Sequence, residues 1–287
     1  MNQFGVLVST EQFQSAELVE FTRTLEARGY DSLWLPELFG REPVATAGYL
    51  LGRTERIGVA TGIANVYVRD ANAMAQARQS LAELSGGRFI LGLGVSNTSL
   101  NSARGHVWQS PLGKMTAYLD ALDAIKPASP APGQPCPTYI AAHGPALQTL
   151  GARRTDGIIT YLMPPEHTRQ SRVRIGAAAA LNVVAMFLAE RDPVVARGKA
   201  RAALKMYVRL DYYQREWRKL GFTDADFADG GSDRLIDMLV AWGDSDALQE
   251  RAAEFKRAGA TRVIVMPLGL LSKQALDMRV LDVLAGG

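Results

Sequence analysis

Few side chains in this 287-residue sequence are placed to move a proton. Glu37 follows the apolar run Leu33-Trp34-Leu35-Pro36, and His106 sits in a polar stretch between Gly105 and Val107. A carboxylate and an imidazole are the groups most often used as general acids and bases. No Ser-His-Asp spacing, paired carboxylates, metal-ligand cluster or Gly-rich Rossmann opening accompanies them. The single Cys136 lies between two prolines, which excludes an internal disulfide and argues against a prepared nucleophile. A third feature is space. Gly92 and Gly94 remove side chains near the end of the apolar run Phe89–Val95, leaving room for a flat group to approach the backbone, and the polar Ser96 and Asn97 follow.

The elements that must position these groups alternate between strand and helix. Short apolar runs of the kind buried on both faces of a parallel sheet predict strands at residues 4–9, 32–35, 57–63, 89–95, 138–142, 157–161, 181–188 and 262–266. Helical spacing between them places Leu18, Phe21 and Leu25 on one face, Met74, Ala77, Leu81 and Leu84 on another, and Leu276, Val280 and Leu284 on a last one. Asp70 can cap the third helix, and Ser85-Gly86-Gly87 stops it. This alternation, without a break in composition, predicts an α/β fold: a (β/α)8 TIM barrel, one domain over residues 1–287, with insertions after strands 4 and 7. The proline-rich segment 126–137 reads as extended or irregular, and 221–243 as short helical pieces. Chemistry in such a barrel sits at the C-terminal strand ends, which selects Glu37, 63–65, 96–106, His143-Gly144-Pro145 and Met266-Pro267.

Composition narrows the partners. Lys and Arg number 32 against 29 for Asp and Glu, and the isoelectric point near 9.0 permits a cationic patch for an anionic small ligand. The basic residues are scattered, which argues against nucleic acid. No apolar run approaches the roughly 18 residues of a membrane span, and the N-terminus lacks the basic start of a signal peptide, so a cytoplasmic protein is expected.

Leu-Trp-Leu-Pro-Glu (33–37), Ile-Gly-Val-Ala-Thr-Gly-Ile-Ala-Asn (57–65), Leu-Ser-Gly-Gly-Arg-Phe-Ile-Leu-Gly-Leu-Gly-Val (84–95) and Ala-Ala-His-Gly-Pro (141–145) together resemble the bacterial luciferase-like monooxygenase superfamily, most of all its coenzyme F420-dependent oxidoreductases. The resemblance implies a (β/α)8 barrel with a deazaflavin, or in the alternative flavin mononucleotide (FMN), at its mouth. It also implies a non-prolyl cis peptide at Gly62-Ile63, forming a bulge behind the ring, where the bare sequence allows a plain strand with a packing glycine. Gly94, Val95, Ser96 and Asn97 match the segment passing the ring and its linker. Ala142, His143, Gly144 and Pro145 match the segment whose main-chain N–H groups meet the coenzyme phosphate, a role that a helix N-terminus suits physically. Glu37 matches an acidic or polar position near ring or substrate, and His106 lies in a loop that faces substrate in relatives. Leu38 departs from the pattern, since the family's sugar-phosphate dehydrogenases carry a catalytic histidine there.

The activity implied is hydride transfer between F420 and a small organic substrate, with Glu37 and His106 as the catalytic candidates and the protein a homodimer. An FMN-dependent monooxygenase, a non-catalytic F420-binding protein and a barrel hydrolase or isomerase are the alternatives. Arg153, Arg154, Arg169, Arg172 and Arg174 read mainly as a solvated helical face, and Tyr207, Tyr212, Tyr213 and Trp217 as packing or a dimer surface.

Overall fold

The computed structural model describes residues 4–268 and 278–285. Its parallel strands are β1 (Phe4–Leu7), β2 (Ser32–Leu35), β3 (Gly58–Thr61), β4 (Ala64–Asn65), β5 (Phe89–Gly94), β6 (Thr138–Ala141), β7 (Gly157–Tyr161), β8 (Ala180–Ala189), β9 (Val240–Gly243) and β10 (Arg262–Pro267). With helices between them, β1, β2, β3, β5, β6, β7, β8 and β10 are the staves of a closed (β/α)8 barrel, as the alternation predicts. Among the described residues no helix is long and apolar enough to cross a membrane.

The chain forms two compact units. In the unit of residues 9–159, Leu33 is in register with Val59, Ala60 with Ile90, Leu93 with Ile140, and Ala141 with Ile159. Trp34, Leu35, Phe89 and Leu91 are fully buried, each side chain contributing about 1.5–3 kcal/mol of hydrophobic stabilisation. Helix Ala71–Leu84 starts where the Asp70 side chain accepts from the Ala73 N–H at 2.8 Å, and Gly86 and Gly87 follow its end with positive φ of 63° and 85°. Arg88 then straps the next strand to its neighbours, donating to the carbonyls of Leu51 (2.7 Å), Ser85 (3.1 Å) and Ile57 (3.3 Å).

Two expectations fail here. The strand predicted over 57–63 stops at Thr61 and resumes only as β4, interrupted at Gly62-Ile63 by the cis peptide that the resemblance implies. Leu84 is 77% exposed rather than inward-facing. The buried stripe of its helix runs through Ala71, Met74, Ala75 and Ala82, and at about 100° per residue Leu84 lies some 200° beyond Ala82.

The other unit comprises β1 and the chain from Thr160. Val6 pairs in register with Val265, Val265 with Ala185, and Met186 with Val240. β9 corrects the expectation of helix over this stretch: Val-Ala-Trp-Gly is too short to show a period, and it follows the apolar helix Asp233–Leu239 directly. Arg172 is not part of a solvated face. Its guanidinium donates to the carbonyls of Gly259 (2.9 Å), Gly176 (2.5 Å) and Ala179 (2.8 Å). Tyr213 and Trp217 are buried, and the Trp217 indole N–H donates to the Leu162 carbonyl at 3.1 Å, so these aromatics pack the unit. Val280 and Leu284 are buried as predicted, while Leu276 lies outside the described residues.

Two predictions concern the 9–159 unit. A Cβ added at Gly92 would lie 2.2 Å from the Thr61 carbonyl oxygen, which is backbone and cannot swing aside; Gly92→Ala is therefore expected to destabilise the protein by about 3 kcal/mol in denaturant unfolding. The Cys136 thiol is engaged with the Phe89 carbonyl at 3.4 Å, and burial pushes its pKa up to about 12. It should resist a disulfide reagent at pH 8 in the native protein and react promptly once the chain is unfolded.

Candidate functional site

In the unit of residues 9–159, the strands β2 to β6 run parallel and present their C-terminal ends at one edge, where most of the candidate residues lie. Glu37 follows β2. Its side chain is only 5% exposed, and both carboxylate oxygens are engaged: Oε1 meets Arg69 Nη2 at 2.8 Å, while Oε2 accepts from Arg69 Nη1 at 2.9 Å and from the Asn65 N–H at 2.7 Å. A bidentate arginine is the strongest common partner for a carboxylate. Arg69 also pairs with Glu42, the residue whose carboxylate caps helix Pro43–Leu51. Leu38 is 42% exposed, and its carbonyl accepts from Arg104.

Where β3 ends, Thr61 and Gly92 lock the neighbouring strands together. The Thr61 hydroxyl donates to the Gly92 carbonyl at 2.8 Å and accepts from the Gly92 N–H at 3.0 Å. The Gly62 N–H reaches across to the Leu35 carbonyl at 2.7 Å, and after the cis peptide the chain rejoins the sheet as β4, with Asn65 opposite Gly94. Ile63 lies against Gly94: a Cβ there would stand 2.6 Å from Ile63 Cγ1. The space that the second glycine clears is thus taken on this side by Ile63.

Beyond Gly94 the backbone turns at Ser96, which holds a positive φ of 59°. Asn97 then caps the short helix Thr98–Ala103, its side chain accepting from the Leu100 N–H at 3.0 Å. Two residues from the selected segments 63–65 and 96–106, neither of them given a role of its own in the sequence analysis, come together at this turn. Asn65 Nδ2 donates to Asn101 Oδ1 at 2.8 Å, and Asn101 Nδ2 donates to the Val95 carbonyl at 2.8 Å. Their only signal in sequence is a polar residue ending the apolar run Ile-Ala-Asn.

His106 is half-buried, and its N–H donates to the Asn101 carbonyl at 3.0 Å. Its ring stands 5.8 Å from that of Tyr67, which also stacks with Trp108 at 6.0 Å and lies 4.7 Å from the Lys114 ammonium. After β6, the Ala142 N–H donates to the Ile159 carbonyl at 2.9 Å, and the His143 carbonyl accepts from Gln148 Nε2 at 2.9 Å. Gly144 then precedes helix Pro145–Arg154 without a side-chain cap. The first N–H groups of a helix lack intrahelical acceptors, so those of Ala146 and Leu147 are available to an anion at the positive end of the helix dipole.

The edge therefore unites Glu37, Ile63, Gly94 and Val95 through β4 and β5, with His106 joined through Asn101 and Tyr67. His143, Gly144 and Pro145 stand at the end of the adjacent β6. Met266 and Pro267 belong to β10 in the other unit.

Known proteins share this arrangement of elements. The 5,10-methylenetetrahydromethanopterin reductase of Methanolobus tindarius is 23% identical over 312 aligned positions, covering 91% of this chain and 94% of the relative. The coenzyme F420-dependent tetrahydromethanopterin reductase of Methanopyrus kandleri superposes with a TM-score of 0.75 at 14% identity, over 99% of this chain and 97% of that one. An F420-dependent secondary alcohol dehydrogenase in complex with an F420-acetone adduct gives a TM-score of 0.75 at 16% identity, over 100% and 98%. Residues 1–262 match the family model for luciferase-like monooxygenases, and with nearly the whole sequence covered by that match the chain belongs to the luciferase-like monooxygenase family.

Proposed function

We propose that the protein is a coenzyme F420-dependent oxidoreductase that transfers a hydride between the deazaflavin and a small organic substrate, with residues 1–287 acting as one luciferase-like domain. The observation that carries this reading is the start of helix Pro145–Arg154, without a side-chain cap, at the end of β6, beside the half-buried segment 95–97 that follows β5. An anionic linker and a flat ring need those two features side by side. Relatives named for F420, matched over 86% and 100% of this chain, support the choice of a deazaflavin.

The residues present fit such a group. Gly144, with the N–H groups of Ala146 and Leu147, would hold its phosphate, with His143 and Ala142 fixing the approach of the chain. Gly62, Ile63, Gly94, Val95, Ser96 and Asn97 would border its ring and linker. When bound, the deazaflavin supplies the two-electron hydride chemistry that no side chain of this protein can perform.

The protein's own contribution is orientation and proton handling. Glu37 is committed to Arg69 and the Asn65 N–H, so its charge serves to fix the loop behind Ile63. His106 has its main chain pinned while its ring stands among aromatic neighbours, and it is the group that gives or takes the substrate's proton. Tyr67, from the segment after β4, stands beside that imidazole and stacks with Trp108 of the His106 loop.

Three outcomes test these roles. Titration of the purified protein should show quenching of tryptophan fluorescence by F420 at micromolar concentration or below, with weaker binding of FMN; preference for FMN would move the protein to the monooxygenases, and binding of neither would remove the coenzyme. With a small secondary alcohol as first substrate, His106→Gln is expected to lower kcat about 100-fold or more while leaving the affinity for F420 unchanged. Arg69→Met, which strands the Glu37 carboxylate in its buried site, is expected to cost about 3 kcal/mol in chemical denaturation.

A further inference from the structure

Asn101 is the only buried residue of helix Thr98–Ala103, and it is fully buried. A surface helix normally turns an apolar side chain inward. Here an amide takes that place, and a buried amide is tolerated only when its polar atoms are paired. Each end of the Asn101 side chain has a partner: Nδ2 donates to the Val95 carbonyl and Oδ1 accepts from Asn65 Nδ2, both at 2.8 Å.

The main chain of the same residue is equally occupied. Its N–H donates to the Asn97 carbonyl at 3.1 Å, and its carbonyl accepts from the N–H groups of Arg104 at 3.1 Å and His106 at 3.0 Å. Asn65, only 2% exposed, receives the Tyr67 N–H on Oδ1 at 3.1 Å and donates its own N–H to Glu37. One buried pair of amides therefore reaches the end of β5 at Val95, the end of β4, the Glu37–Arg69 ion pair and the two ends of the loop that carries His106.

The geometry assigns Asn101, with Asn65, as a positioning residue that sets the Val95–Asn97 main chain and the His106 loop in one register. This rests on the reading of that segment as the coenzyme edge. An apolar residue at 101 could fill the same volume but could not fix the Val95 carbonyl, and the peptide between Val95 and the left-handed Ser96 would be free to rotate. Aspartate keeps the shape and the acceptor for Asn65 but has no hydrogen to offer Val95, and it places a negative charge against that carbonyl.

The test uses Asn101→Ala and the isosteric Asn101→Asp in the full chain, titrated with F420 and followed by hydrogen exchange of peptides across residues 95–106. Both variants should bind F420 about tenfold or more weakly. Their amides over 95–106 should lose protection, while those of β2 and β3 keep it. A merely structural role would lower protection evenly across residues 9–159 and leave the folded protein's affinity as in the parent; either result overturns the assignment. Should Asn101→Ala fail to fold, Asn101→Asp decides. If the unsubstituted protein itself binds no F420, the coenzyme reading falls alone, and exchange still judges the pair: local loss of protection supports it, and unchanged protection overturns it.

Discussion

The close approach of Thr61 to Gly92 is the constraint on which the candidate edge depends. The Thr61 carbonyl oxygen occupies nearly the position a side chain on Gly92 would need, and the Thr61 hydroxyl both donates to and accepts from the Gly92 main chain. β3 is thereby stopped against β5 at a defined point. The next peptide leaves the ladder, Ile63 turns onto Gly94, and the chain re-enters as β4 with Asn65 facing the end of β5. Neither the Glu37 contact to the Asn65 N–H nor the Asn65–Asn101 pair could form if β3 ran on in register.

Electrostatics then fixes what packing has placed. Glu37 sits where an unpaired carboxylate would be costly, and Arg69 answers it with a bidentate fork while also reaching the capping residue Glu42. One guanidinium thus ties the loop after β2 to the start of helix Pro43–Leu51. The Asn65–Asn101 amides extend the same satisfied network without adding charge. Helix Pro145–Arg154 contrasts with helices Ala71–Leu84, Pro193–Leu204 and Ser245–Arg257, each of which begins under an aspartate. Its glycine cap keeps a carboxylate away from the position where the proposed phosphate would compete for the same N–H groups.

The barrel was legible in the sequence because its staves are short apolar runs and its helices repeat at 3.6 residues, signals that need no knowledge of distant contacts. Gly92 and Gly94 read as leaving room for a flat group, but what enters that room could not be seen in sequence: the Thr61 carbonyl and the Ile63 side chain, some thirty positions earlier in the chain. The same limit hid Arg69 from Glu37 and Asn101 from Asn65, since such pairs leave no periodic trace. Four-residue β9 and the outward Leu84 were missed for a nearer reason: a single turn or a four-residue run carries too little pattern to fix a face.

Helix Thr98–Ala103 turns one residue inward and leaves Thr98, Ser99, Ser102 and Ala103 to solvent. Mutational tolerance on it should accordingly be divided very unequally. The outer positions can drift, and with them the shape and polarity of the loop that leads to His106, without disturbing the amide that holds the loop to the sheet. With this edge as the proposed coenzyme site, substrate range and coenzyme retention fall on opposite faces of the same six residues, so that descendants of this sequence could change what they act on while keeping what they act with.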